Sequence, residues 1–499
     1  MDKSWLATYL SAGLTTLSLV QNRTPFCQVQ PIPPGHYLHI SSGKPRCKRY
    51  WYGSQEYKSF SEAAEQLREQ LLTAVEGRVC LYSNITSDLS GGFDSTTLAL
   101  IAAKTLAKRG EKLHTITDKT VSATQSSDVE LAQHAASLYS NITAVMIEGH
   151  EIPAEYSNLE SVPLTDSPDL GCNVIGKISH RLEIIKSKGS QLHMSGEGGD
   201  AVLLAPDSYC ADLLRRGRFV TFFQHINGWS RIGTTSSLAL INSAVRLSFT
   251  SYRQWLFQQT KKLMAGDLTL QPLRLQMPIG QLMGWDDLPE FASWHSKKSV
   301  DLVLEELQRW TKLATPLHDL PGEHLAIAII QLNGLAAKVC QQIADIYGVN
   351  LEFPYLDTVV IDACLSARPE ERTSPFVYKP LLPRALHRDL PQSVFARHTK
   401  GDYLTDEFIG LRENRAAIEE IFQTSLLADI GLIDIRKLQE TMQNFYMGFG
   451  TGLPLFCQTL ALELWLRRLV QADRSFWVQG DDSPGIEVKK IQLNTKVTF

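Results

Sequence analysis

The stretch Asp88-Leu-Ser-Gly-Gly-Phe-Asp-Ser95 decides how the rest of the chain is read. Before it, Ile85–Leu89 has the apolar, β-branched character of a strand end. After it, Thr96–Lys108 (TTLALIAAKTLAK) is a helical run stopped by Gly110. A strand, a Gly-Gly turn and a helix N-terminus, in that order, offer unpaired backbone N–H groups to an anion. Gly91 and Gly92 lack a Cβ, so the backbone can approach a phosphate closely. Ser90 and Ser95 add hydroxyl donors. Asp94 would repel phosphate unless a cation sat between them, so the same residues predict Mg²⁺. The plain alternative is a strand–helix turn with a Ser or Asp cap.

Ser90-Gly91-Gly92-Phe93-Asp94-Ser95 resembles the SGGxDS pyrophosphate loop of N-type ATP pyrophosphatases, which cleave ATP to AMP and pyrophosphate. The chain has no GxxxxGK[ST] motif, so γ-phosphate transfer is not the expected chemistry.

Composition bounds the rest. A chain of 499 residues easily buries a sizeable core, and 43% hydrophobic with 20% charged residues is the balance of a soluble globular protein. A net charge of -4 argues against a dominant nucleic-acid-binding face. The eight cysteines lie far apart with no CxxC, which indicates neither zinc nor a disulfide framework and favours reduced cytosolic thiols. No uninterrupted apolar run reaches membrane-spanning length.

Residues 1–57 are turn-rich, broken by Pro25, Pro31, Pro33, Pro34 and Gly35, with short strands expected at His36–Ile40 and Arg49–Tyr52. Ser59 and Glu62 form a capping box for a helix to Glu76. Strands and helices then alternate: strand Lys112–Thr117, helix Val129–Tyr139, strand Ile142–Ile147, a helix near Asn173–Lys186, and strand Gln191–Ser195. That alternation predicts an α/β fold with a doubly wound parallel sheet, its ligands beyond the strand carboxyl ends. After about residue 210 helical periodicity takes over, in 211–265, Val300–Thr311, His324–Tyr347, Glu413–Leu427, Leu438–Met447 and Leu455–Gln471. The expected organisation is a β remnant over 1–57, an ATP-dependent domain over 58–474 with a helical C-terminal half, and a polar tail over 475–499.

The strand Gln191–Ser195 runs into Gly196-Glu197-Gly198-Gly199-Asp200. This matches a loose dinucleotide pattern, but no ribose-binding acid follows. The segment resembles the SGEGAD stretch of asparagine synthetase-like enzymes, which implies that Asp200 shares Mg²⁺–pyrophosphate with Asp94 and that Gly196 and Gly198 line the nucleotide. The alternative for Asp200 is a helix N-cap. Asp128 resembles the acidic position that frames the nucleotide in that family, and an N-cap explains it equally well. Lys400, in Arg397-His398-Thr399-Lys400-Gly401, follows Lys379, Leu390 and Pro391 at family spacing. The resemblance implies that it reaches the α-phosphate and stabilises charge growing in the transition state.

Two further likenesses narrow the family. Ile32–Tyr52 resembles the closing strands of the N-terminal glutaminase domain of asparagine synthetase-like proteins, but Asp2, not Cys, follows Met1, so glutamine hydrolysis is not expected. Gly348–Asp357 resembles a synthetase segment in which Asn350 stands for a glutamate base and Glu352 for a substrate-binding arginine. Loss of both speaks against free aspartate and ammonia as substrates. A peptide α-amine, with a pKa near 7.7–8.0, needs no strong base. Ring closure within one peptide gains up to about 7–11 kcal/mol from proximity. Gly196–Asp200, Ala363–Thr373, Arg397–Leu411 and Leu427–Asp434 together resemble lasso peptide cyclases, asparagine synthetase-like macrolactam synthetases. That likeness implies ATP and Mg²⁺, a precursor or core peptide as substrate, a leader peptidase and a leader-recognition protein as partners, and a bacterial cytoplasm. The alternatives are asparagine synthetase, a β-lactam synthetase-like ligase acting on a small amino acid, and a non-catalytic scaffold.

Overall fold

The computed structural model describes residues 1–12, 23–53, 56–120, 127–266, 283–395, 404–450 and 452–472. After an N-terminal hairpin of β1 (His36–Ser41) and β2 (Lys44–Arg49), the centre is a parallel sheet of β3 (Ile85–Asp88), β4 (Leu113–Lys119), β5 (Ile142–Glu148), β6 (Leu192–Met194) and β7 (Leu351–Glu352). The strand order is β5-β4-β3-β6-β7. The chain winds outward from β3 in one direction through β4 and β5. It then crosses back to build β6 and β7 on the other side. The order therefore reverses at β3, and the crevice beyond that strand's carboxyl end is where an open α/β sheet receives its ligand. The segment 89–92 leaves the sheet at that point.

Helices cover both faces because the strands are apolar on both. On β4, Leu113 packs into one core with the helices Phe60–Leu81, Phe93–Ala107 and Thr358–Leu365. Ile116 packs into the other, with Ile175–Ser187 and the C-terminal helices. Leu67, Leu71 and Val75, spaced by four, bury one face of Phe60–Leu81 completely. Each such side chain contributes about 1.5–3 kcal/mol. The expected capping box is formed: Ser59 Oγ accepts from Glu62 N, and the Glu62 carboxylate accepts from Ser59 N.

The expected alternation of elements is observed, with three differences. The second strand of the N-terminal hairpin is Lys44–Arg49, not 49–52, pairing antiparallel with His36–Ser41. The turn between them is Ser42-Gly43, with φ of 49° and 72°. Positive φ at both turn residues matches the right-handed twist of the strands and sets the register. The helix expected over 413–427 is interrupted, as Leu404–Glu413, Arg415–Ile421 and Leu426–Asp429. Glu463 draws the interruption together, its carboxylate accepting from Ser425 Oγ and from the N–H groups of Leu426 and Leu427. Lastly, the turn-rich N-terminus holds a helix, Lys3–Ala12, whose Trp5, Leu6, Tyr9 and Leu10 are buried in the same core as Trp465. No described helix is long and apolar enough to cross a membrane.

Candidate active site

Two loops meet beyond the strand ends. The first, 89–92, runs from β3 into the helix Phe93–Ala107, whose N-cap Gly92 provides no side-chain bond, leaving the first-turn N–H groups uncapped by it. Gly91 has φ +80°, and a Cβ there would lie 2.2 Å from the Asp128 carbonyl oxygen. Glycine is therefore required twice over, by conformation and by space. Ser95 Oγ accepts from Ser90 N at 3.1 Å and lies 2.9 Å from Ser90 Oγ, so the loop is closed on itself before any ligand arrives. The second loop, 196–199, packs directly on the first. A Cβ at Gly196 would meet Ser95 N at 2.6 Å, and one at Gly199 would meet Asp94 Cγ at 2.4 Å.

That packing brings Asp94 and Asp200 together. Lys379 Nζ bridges them, bonded to Asp94 Oδ2 and, at 2.7 Å, to Asp200 Oδ1. The lysine side chain is 1% exposed, Asp94 17% and Asp200 46%, so the pair opens to solvent on the Asp200 side. Burial alone would lower the ammonium's pKa, but the two carboxylates outweigh it and hold it well above the ordinary value. Lys379 itself has φ +46°, a left-handed conformation costly for a residue with a side chain. Next to it, the Tyr378 hydroxyl donates to Asp200 Oδ1 at 3.3 Å and its ring lies 5.3 Å from Phe93.

Beneath the first loop is a second charged cluster. Asp88, the last residue of β3, accepts from Arg181 at 2.6 Å and lies 2.7 Å from His193 Nε2. Arg181 also reaches Asp118, at the end of β4, at 3.0 Å. His193 Nδ1 meets Thr86 Oγ1 at 2.8 Å. Burial pushes the Asp88 carboxyl up, but Arg181 and His193 more than reverse this and hold it well below the usual range. The cluster ties the ends of three neighbouring strands together and so fixes where the loops depart.

The structure thus brings together Ser90, Gly91, Gly92, Asp94, Ser95, Gly196, Gly198 and Asp200, with Asp128 behind them. Ser127 is the N-cap of the helix Asp128–Ser137, so Asp128 is its first residue and not its cap; it is buried, with its backbone against Gly91. Lys400 lies outside the described residues. Lys379, noted from sequence only for its spacing to Lys400, is the cation at the centre. Its direct signal is a Tyr-Lys-Pro triplet, which local pattern reading does not distinguish from a loop. Arg181 carries no sequence signal, whereas His193, flanked by Leu and Met within a strand, is a visible polar intrusion. The two substitutions counted against a small-molecule substrate sit at opposite ends of β7, and the Glu352 carbonyl accepts from Ser195 N at 3.0 Å, directly before the second loop. Asn350 Nδ2 donates to Tyr82 OH at 3.2 Å, at the entry edge of the sheet and away from the loops. Glu352 pairs with Arg78, which also holds Asp357 at 2.6 Å.

The donor set suits Mg²⁺, a hard cation usually held by one or two carboxylates plus phosphate oxygens. Asp94 and Asp200 already converge on one cationic group, and no cluster of three His, Cys, Asp or Glu occurs among the described residues.

Comparison with known proteins gives the family and two partial relatives. The chain is 28% identical over 218 residues to amidase chyE of Penicillium rubens, covering 39% of this chain and 31% of the relative. It is 27% identical over 238 residues to amidase chry2 of Gibberella zeae, covering 42% and 35%. It therefore spans about a third of the length of these relatives. The family model described as asparagine synthase matches residues 66–467, from the helix before β3 to the last helix of the core. The chain belongs to the asparagine synthase family.

Proposed function

We propose that the chain is an ATP-dependent, AMP-forming ligase that closes a macrolactam, joining an Asp or Glu side chain of a core peptide to that peptide's N-terminal amine. The observation that carries the ligase reading is the meeting of Asp94 and Asp200 on Lys379 beside an uncapped helix N-terminus. Family membership supports ATP-dependent amide formation. The relatives named amidases share the amide bond, and the nucleotide cradle favours making that bond over breaking it. The macrolactam reading draws on the motif likenesses of 196–200, 363–373, 397–411 and 427–434 to lasso peptide cyclases.

In the first step a peptide carboxylate oxygen attacks the α-phosphorus of ATP, and the bond to the leaving pyrophosphate breaks. Backbone N–H groups of 90–95 and the Ser90 and Ser95 hydroxyls hold the pyrophosphate oxygens. Two carboxylates and one ammonium leave the centre at a net charge of -1, which repels bare triphosphate. Mg²⁺ held by Asp94 and Asp200 would supply the missing positive charge. Lys379 supplies an ammonium beside the loop that holds the pyrophosphate, where negative charge grows, with Lys400 as the second lysine. In the second step the amine nitrogen attacks the acyl carbon and AMP leaves. The amine enters neutral, and the proton it loses on forming the amide passes to solvent.

Pyrophosphate exchange into ATP, with and without a leaderless core peptide, tests the first step, and loss of one water from the peptide mass tests the second. Peptide-dependent exchange is expected. Exchange that responds to aspartate and not to peptide would replace the macrolactam reading by a small-substrate ligase, and full exchange in Asp94→Ala would overturn the metal assignment.

A further inference from the structure

A pocket of about 300 Å³ lies between the segment 34–51 and the helix Pro321–Ile346, walled by Pro34, Tyr50, Trp51, Ile330, Leu356 and Ile361. No step above uses it. Its aromatic wall is rigid: Trp51 Nε1 donates to Asp362 Oδ1 at 2.7 Å, and the N–H groups of Tyr50 and Trp51 both reach the Gly35 carbonyl, at 2.9 and 3.2 Å. Opposite, Gly334 lines the pocket from mid-helix. Glycine there costs about 0.5–1 kcal/mol relative to alanine. Nothing within the described chain requires it, since a Cβ at Gly334 would meet no atom within 4 Å. Gly334 is exposed at the rim of the pocket, where a larger side chain has room to enter it. Leu356 ties the cavity to the chemistry, because it both lines the pocket and packs under Gly198, where a Cβ would lie 2.6 Å from it.

The lining is aliphatic and aromatic apart from Gln331 and Thr358. The size is at the lower end of small-molecule sites. We propose that this pocket binds one aromatic ring, presented as a side chain of the acid-bearing peptide one residue layer from the nucleotide loop. The peptide origin rests on the proposed function; the ring specificity does not. A free small aromatic shares the same chemistry, and the test separates the two sources.

Ligand-observed ¹⁹F NMR of the full chain, with 5-fluoroindole and with N-acetyl-5-fluorotryptophan amide as probes, provides that test. Both are expected to bind saturably. Gly334→Leu should weaken both by at least about tenfold, as expected when about 1.4 kcal/mol of binding is lost. Its thermal unfolding should stay unchanged or rise, because leucine replaces a helical glycine. Trp51→Ala should weaken both probes from the other wall. Unsaturable binding, or native affinity in a folded Gly334→Leu, overturns the pocket. Binding of fluoroindole without the amide overturns the peptide source and leaves a free aromatic as occupant. Absence of pyrophosphate exchange with the amide still bound removes the ligase reading and leaves the pocket standing.

Discussion

Replacing Lys379 by Met keeps the length and apolar stem of the side chain and removes only its charge. The Asp200 contact at 2.7 Å is worth about 6 kcal/mol gross at an effective dielectric near 20. Solvent at the 46%-exposed Asp200 screens it, and the variant no longer bears the cost of burying an ammonium. A net loss of about 3 kcal/mol remains, the lower end for taking one partner from a buried pair. The loss falls on the two loops, so the assay is hydrogen exchange of the amides in 90–95 and 196–200. About 3 kcal/mol corresponds to roughly a hundredfold loss of protection at pH 7. The pH dependence follows from sign. In the native protein the raised Lys379 pKa leaves its contribution fully present below about pH 10 and lost only above it. In Lys379→Met the facing carboxylates raise each other's pKa, which adds stability at low pH that disappears as pH rises through the raised value. The difference between variant and native should therefore widen from pH 4 to pH 7. Mg²⁺ without nucleotide should restore protection to the variant more than to the native protein, because the ammonium no longer holds both carboxylates. Equal exchange in the two proteins at pH 7, or equal protection by Mg²⁺, would refute the reasoning.

Gly91→Ala should cost several kcal/mol and abolish nucleotide binding, as its Cβ would sit 2.2 Å from backbone, whereas Gly110→Ala, at φ +69° with no atom within 4 Å, should cost only about 1 kcal/mol; urea unfolding and ATP titration compare them. Arg181→Met should destabilise the fold near neutral pH by about 3 kcal/mol, the low end for a buried pair, by leaving the half-buried Asp88 short of its main partner. Because the Asp88 pKa is depressed, its contribution is present above about pH 4 and lost as pH falls below that, so the variant and native unfolding midpoints should converge in acid. Lys400→Ala and Asp200→Asn should each lower peptide-dependent pyrophosphate exchange by about 10²-fold or more with the circular dichroism spectrum unchanged. Asn350→Ala should leave exchange and product unaltered, since the residue 350 side chain bonds Tyr82, before the start of β3; a shift of product toward asparagine or loss of activity would return that position to the site.

What the residues disclosed in advance follows from the range over which each signal acts. The loop 90–95 and the Gly196–Asp200 segment were legible because their glycines answer local demands of φ and backbone approach, which leave a mark in consecutive positions. The five-strand sheet was legible because strand–helix alternation is itself a local period. The hairpin register was not read, although Ser42-Gly43 marks it: the aromatic run Tyr50–Tyr52 has the stronger strand propensity, and the turn overrides it. The break before Leu426 was hidden because Glu463, some forty residues later, sets it.

Lys379 shows why the centre of the site stayed hidden while its edges were plain. It stands 285 positions from Asp94 and 179 from Asp200, and no spacing rule links residues that far apart. Its backbone adopts a left-handed conformation of the kind that costs of order 1–3 kcal/mol, and its ammonium is withdrawn almost wholly from water. Neither feature stabilises the fold unless both carboxylates are already fixed at the mouth of the sheet. The order of dependence therefore runs from the β3 crevice, through the Asp88–Arg181–His193 cluster that fixes the strand ends, to the two acidic loops, and last to the lysine they receive. A charge so placed balances two anions that would otherwise face each other at the mouth of the sheet, so Lys379 is as much a condition of the two loops meeting as a consequence of it.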